Sequence, residues 1–290
     1  MTRALCWSAS WDANRDAELA TRDYLRLALG GLPAEQSMGV VQVQLAFVLR
    51  ALDLYADPEW APTGFAALSD AAWAAAGRAE PGSDLQLVWT RTSASAARTV
   101  EQLGIVRGLL SGNVTLDGLA IDTDLRWHLL HCLLAEGAAD ENDVVAETQR
   151  DPSDEGARQA ATGRALIPTP EAKAHAWELI TEYDDLPAQT VLAVLMGFGQ
   201  ARHSELLAPY IERYHEAAAR AWQERTSETS HNIAILLYPT WEPTAETARI
   251  TDDYLAAHPE LPAALRRLMA EGRDSVLRAA AARECDRAAE

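Results

Sequence analysis

Apolar positions along this chain recur in threes and fours rather than in twos. Residues 124–136 show the pattern best: Leu125, Trp127, Leu129, Leu130, Leu133 and Leu134 line one stripe, and Gly137 follows as a stop. Alternating Val, Ile and Thr runs are short, while Ala, Leu, Arg and Glu fill most of the remainder at helical spacing. Start signals are equally readable. Thr99 with Gln102 forms a capping box ahead of Leu103 and Val106. Ser153 precedes Asp154 and Glu155, whose charges suit the positive end of a helix. Thr169 with Pro170 and Glu171 opens a helix over residues 172–182, and Pro243 with Thr244 opens another.

Breaks fall at Gly30-Gly31-Leu32-Pro33, Glu80-Pro81-Gly82, Gly112, Gly137, Ile167-Pro168, Leu186-Pro187, Tyr238-Pro239 and His258-Pro259. Each interval holds one or two helices. No strict period recurs, so the expected fold is all-α: antiparallel helix pairs stacked as an α-solenoid of the HEAT-like sort, in one domain over residues 1–290. The closing stretch RAAAARECDRAAE suits the polar outer cap that such a stack needs. The opening does not, because Leu5, Cys6, Trp7 and Trp11 present an apolar helix at once. That helix reads as a structure entered midway and as a surface for self-association.

Charge removes one class of partner. The 43 acidic residues outweigh 25 Lys plus Arg, for a net charge of −18, and Lys173 is the single lysine. Such a field repels phosphate backbones, which excludes nucleic acid. No run of 18 apolar residues occurs and no signal-peptide core opens the chain, so a cytoplasmic location without membrane contact is expected. Cys6, Cys132 and Cys285 are too scattered for a metal site or a disulfide framework and read as incidental thiols.

Several blocks carry more than periodicity. Residues 118–134 (GLAIDTDLRWHLLHCLL), 2–16 (TRALCWSASWDANRD), 51–60 (ALDLYADPEW), 80–89 (EPGSDLQLVW), 168–177 (PTPEAKAHAW), 205–214 (ELLAPYIERY) with Trp222, and 265–274 (LRRLMAEGRD) stand in order across some 270 residues. Together they resemble the C-terminal helical domain of M1 zinc aminopeptidases of the actinobacterial type, and the related endoplasmic-reticulum aminopeptidase C-terminal domain. The resemblance implies a superhelical domain that closes over the active site of the intact enzyme, restricts entry to peptides and helps bind their distal end. It also implies that zinc belongs to a separate catalytic domain, so no cofactor is expected in this chain.

The catalytic signatures of that family are absent. HExxH sets two zinc-binding histidines on one helix face with the glutamate as general base, and its nearest approach here is His215-Glu216-Ala217-Ala218-Ala219, with alanine at the second ligand position. GxMEN, which binds a substrate amino terminus, is missing too. No zinc peptidase activity is expected from this chain alone. The match begins later than the family's domain does, which leaves two readings open: a piece of a larger enzyme, partnered by a catalytic portion, or a free-standing HEAT-like scaffold repurposed as a small-molecule binder or enzyme in a specialised biosynthetic pathway.

For the second reading, candidate chemistry lies in His128 and His131, three apart on one helix and unlike the family pattern; partly exposed surface histidines are the plain alternative. Among nine tryptophans, Trp73 and Trp241 are the less typical. With Tyr238 and His231 they could line a ligand cavity, against the alternative of packing between helices. Asp122, Asp124, Asp140, Glu141 and Asp143 sit where carboxylates cap helices. No phosphate loop or nucleophile elbow is present.

Overall fold

The cap residues legible in the sequence all stand at helix starts in the computed structural model, which describes residues 2–35 and 37–289. Thr99 and Gln102 make both halves of the capping box, while Ser153, Thr169 and Thr244 each accept the amide three residues on. Asp140 takes the amides of Asn142 and Asp143, and Gly137 leaves its helix at φ 67°, a conformation that glycine adopts without steric cost. All regular structure among the described residues is helical, so the all-α expectation holds. The chain divides into two compact units, residues 1–133 with 281–290, and residues 134–280.

The first unit contains α1 (Thr2–Arg15), α2 (Thr21–Gly31), α3 (Met38–Leu54), α4 (Ala61–Arg78), α5 (Asp84–Ala96), α6 (Val100–Ser111) and most of α7 (Thr123–Ala135). Trp11 of α1 stacks on Phe47 at 4.4 Å and meets Tyr24 and Tyr55 at 6.2 and 5.7 Å. Of the apolar face expected to mediate self-association, Trp11 is therefore used within the chain, whereas Leu5 stays 66% exposed and Cys6 is exposed as well. Helices α4 and α5 approach closely because small residues face one another. Ser69 Oγ donates to the Ser93 carbonyl at 2.9 Å, and Ser93 Oγ returns the bond to Ser69 at 3.0 Å.

The chain's closing residues are not a polar outer cap. They form the end of α16 (Ala263–Ala288), and the Asp286 side chain is fully buried in the first unit. Asp286 Oδ1 accepts from Arg22 N (2.8 Å) and Nε (3.3 Å), and Oδ2 from Asp57 N (2.8 Å). Arg283 donates to the Leu54 carbonyl, and Arg287 pairs with Asp57 at 3.1 Å. A carboxylate needs this many donors to be tolerated out of water.

The second unit contains α8 (Glu141–Arg150), α9 (Asp154–Leu166), α10 (Pro170–Thr181), α11 (Ala188–Phe198), α12 (Ser204–Leu207), α13 (Tyr210–Glu224), α14 (Ser227–Leu236), α15 (Ala245–Ala257) and most of α16. Its core is aromatic: Trp177, Phe198, Tyr210, Tyr214, Tyr238 and Trp241. Helix α11 packs more extensively on α9 than on its chain neighbour α10. Gly197 permits this, since a β-carbon there would stand 2.4 Å from the Thr162 carbonyl oxygen, and Thr162 Oγ1 donates to the Ala193 carbonyl at 2.8 Å.

Lys173 runs into this core, inaccessible to solvent. Its Nζ donates to the Ala165 carbonyl near the end of α9 (2.6 Å) and to the Phe198 carbonyl that ends α11 (3.3 Å). One amine thus serves the electronegative ends of two helices. Burial, then the Arg202 charge, pushes its pKa down to about 7.

Candidate functional site

Two cavities in the second unit have the size of small-ligand sites. The first, about 340 Å³, has apolar walls from Ala161, Ala165, Ile167, Ala176, Leu179 and Val194. Its polar groups are His175 and the Arg164–Glu141 pair at 2.8 Å, both partly exposed and so of little consequence for stability.

The second cavity, about 310 Å³, is lined by Trp177, Glu182, Arg213, Glu216, Ala217 and Arg220. The Arg213 guanidinium lies over Trp177 and Tyr210, 4.9 and 5.2 Å from the ring centroids. Arg220 Nη2 donates to Glu182 at 2.8 Å and to the Thr181 carbonyl at 2.9 Å, and its hydrogen bond holds the Glu182 carboxyl below the usual range. Guanidinium and carboxylate groups beside an indole suit a ligand carrying both signs of charge.

His215, the one histidine of the HExxH-like stretch, faces away from such chemistry. It is buried, with Nε2 2.9 Å from Thr251 Oγ1, and that hydroxyl lies 2.8 Å from Tyr238 Oη. Tyr214 and Tyr254 hold the imidazole at centroid distances of 5.0 Å. With Ala219 at the second ligand position, these residues do not fit zinc. Among the described residues, no group of three His, Cys, Asp or Glu side chains is placed to hold a metal ion.

Burial pushes the His215 pKa down to about 4, against about 6.5 for a free imidazole. Between those values the unfolded chain binds a proton that the folded chain does not. Stability is therefore full above pH 6.5 and is lost as pH falls toward 4, by about 3 kcal/mol. His215→Gln should flatten this part of the pH profile in urea titrations at pH 4.5 and 7. Equal pH dependence in variant and wild type would refute the assignment.

The paired histidines of α7 part company. His128, half-buried, faces α5: its Nε2 lies 3.1 Å from the Arg91 carbonyl, 3.3 Å from Ser95 Oγ and 3.8 Å from Cys132 Sγ. His131 packs by Trp127 at 5.8 Å instead. Cys132, four residues on, is thus the most distant of three neighbours of the His128 ring nitrogen. The i, i+4 spacing was the available signal.

The remaining candidates are placed as follows. Trp241 and Tyr238 are almost wholly buried in the second unit, Trp241 edge-on to Phe198 at 5.9 Å and Tyr238 edge-on to Tyr214 at 5.1 Å. His231 is exposed on α14, and Trp73 is half-buried on α4 of the first unit. None of the four lines either cavity described above. The acidic residues do act as caps: besides Asp140, Asp122 Oδ1 accepts from Leu125 N at 2.8 Å. Asp124 instead pairs with Arg91 at 2.7 Å.

Residues 1–278 match the family described as the ERAP1-like C-terminal domain. Over 289 residues the chain is 45% identical to a Streptomyces lividans protein named Aminopeptidase N, a match that takes in 100% of this chain and 34% of the relative. The chain therefore spans about a third of that relative's length.

Proposed function

Because this chain belongs to the ERAP1-like C-terminal domain family, we propose that it is the noncatalytic, peptide-enclosing part of an M1-type zinc aminopeptidase. The observation that carries this reading is a match over nearly the whole chain, joined to the lack of HExxH and GxMEN in the sequence. The domain would work by position: a helical wall beside a catalytic portion, admitting peptides and holding the end remote from the scissile bond. The second cavity is the surface best suited to that contact, with Arg213 and Arg220 for carboxylates and Glu182 and Glu216 for amines.

The test is reconstitution. The Streptomyces lividans relative, expressed without its matching third, would be assayed for peptide turnover with and without this chain added. Association and a gain in turnover that depends on peptide length are expected. Absence of both would sink the reading. A second reading, a small-molecule binder, is favoured by the apolar first cavity. Saturable shifts of Ala165 and Ala176 methyl signals with benzene as probe would support it, and unshifted signals would remove it.

A further inference from the structure

Arg213 and Glu216 stand one turn apart on α13, and both line the second cavity. Opposite charges at such spacing ordinarily close on one another. Elsewhere in the chain they do so, Arg158 with Glu155 at 2.7 Å and Arg267 with Glu271 at 3.5 Å. Here, among the described residues, neither side chain makes an ion pair or a hydrogen bond. The Arg213 guanidinium is drawn onto the Trp177 and Tyr210 rings instead, and its charge reaches Glu182 only through space. The cavity's other two charges are already joined, Arg220 to Glu182 at 2.8 Å. One cation and one anion are thus left open within a single turn. We propose that this cavity binds a single free amino acid, its carboxylate on Arg213 and its ammonium on Glu216.

The ligand class follows from charge and size. An anion without a cation would meet Glu216 and Glu182, and a cation without an anion would meet Arg213 and Arg220. Each is opposed where a zwitterion is not. A guanidinium over aromatic rings keeps N–H donors for a carboxylate, and a rotamer fixed beforehand costs less to order on binding. At about 310 Å³ the cavity lies at the lower end for small-ligand sites, with room for one residue rather than several. Trp177 and Ala217 give its side chain an apolar wall.

Binding follows from these residues alone. Its consequence for turnover rests on the peptide-enclosing reading: free amino acids are the product of an aminopeptidase, and an occupied cavity would compete with peptide for Arg213.

The probes are L-leucine, N-acetyl-L-leucine and L-leucinamide, each titrated into the whole chain, with binding read from saturation transfer to the leucine methyl protons. Leucine should bind saturably, and blocking either charged end should weaken it at least about tenfold. In Glu216→Gln the N-acetyl compound should match leucine, and in Arg213→Gln the amide should. Both positions are exposed, so the variants are expected to fold, and the three-probe comparison in the unaltered protein stands without them. Equal binding of all three probes, or no saturable binding of leucine, would overturn the proposal. So would a folded variant that keeps the preference it should lose. Binding of tetraalanine where leucine does not bind would overturn it too, while leaving peptide enclosure intact. Leucine binding as expected beside a failed reconstitution would do the reverse.

Discussion

Replacing Asp286 with alanine is expected to lower the unfolding free energy of the first unit by about 3–5 kcal/mol, the range for removing one partner of a buried ionic group. The carboxylate is inaccessible to solvent and receives three hydrogen bonds, two of them from backbone amides at Arg22 and Asp57. Alanine leaves the Asp57 amide in a buried place with nothing to donate to, and a buried unpaired donor costs more than an average hydrogen bond contributes. Arg22 loses an anchor as well, although it still reaches the Ala289 carbonyl and lies over the Trp60 ring at 5.2 Å. Asp286→Asn keeps the shape but exchanges one acceptor for a donor facing an N–H, so its loss should be intermediate. Hydrogen exchange resolved by peptide would check this. Faster exchange around Arg22 and Asp57 is expected, and unchanged protection there would show that the end of α16 is dispensable.

Lys173→Met should separate from wild type as pH rises. A lysine whose pKa falls from about 10.5 to about 7 on folding is protonated only in the unfolded chain between those values. Its contribution is therefore full above pH 10.5 and is lost as pH drops through 7. Between pH 7 and 9.5 the stability difference, wild type minus Lys173→Met, should grow by about 3 kcal/mol. At pH 7 the variant should be nearly neutral. It leaves the Ala165 and Phe198 carbonyls unserved, but it also removes an amine that is costly to bury. Urea titrations of both proteins at the two pH values decide the matter, and a constant difference would rule out the shifted amine. Because Lys173 is the single lysine, acylation of its side chain also reports opening of the second unit directly.

The local grammar of the chain was open to reading and its long-range grammar was not. Thr99, Ser153, Thr169 and Thr244 act within a few residues of themselves, so their meaning lies in the neighbouring letters. The same holds for Gly137. Asp286 looked like tail polarity because its donors lie 229 and 264 residues away, beyond any window of periodicity. Lys173 sat on an ordinary-looking helix, and only the crossing of α9 and α11 places two carbonyls at its tip. Trp241 and Tyr238 suggested a cavity wall by being unusual, yet an indole and a phenol fill a core as readily as they line a pocket. The sequence did hold one overlooked short-range clue, the i, i+4 pair of His128 and Cys132.

The place of residues 281–290 in the first unit has a consequence for how the chain acquires its structure during synthesis. Helices α1 to α6 emerge from the ribosome early, but the carboxylate that receives the amides of Arg22 and Asp57 arrives only after residues 134–280 have been made. At about 5–20 residues per second that delay is on the order of ten seconds. The second unit is contiguous in the chain and can complete its contacts as it emerges, whereas the first must wait with two donors open. Closure across such a sequence separation is slow relative to helix formation. Of these two units, the one translated earlier is thus the one that finishes folding later.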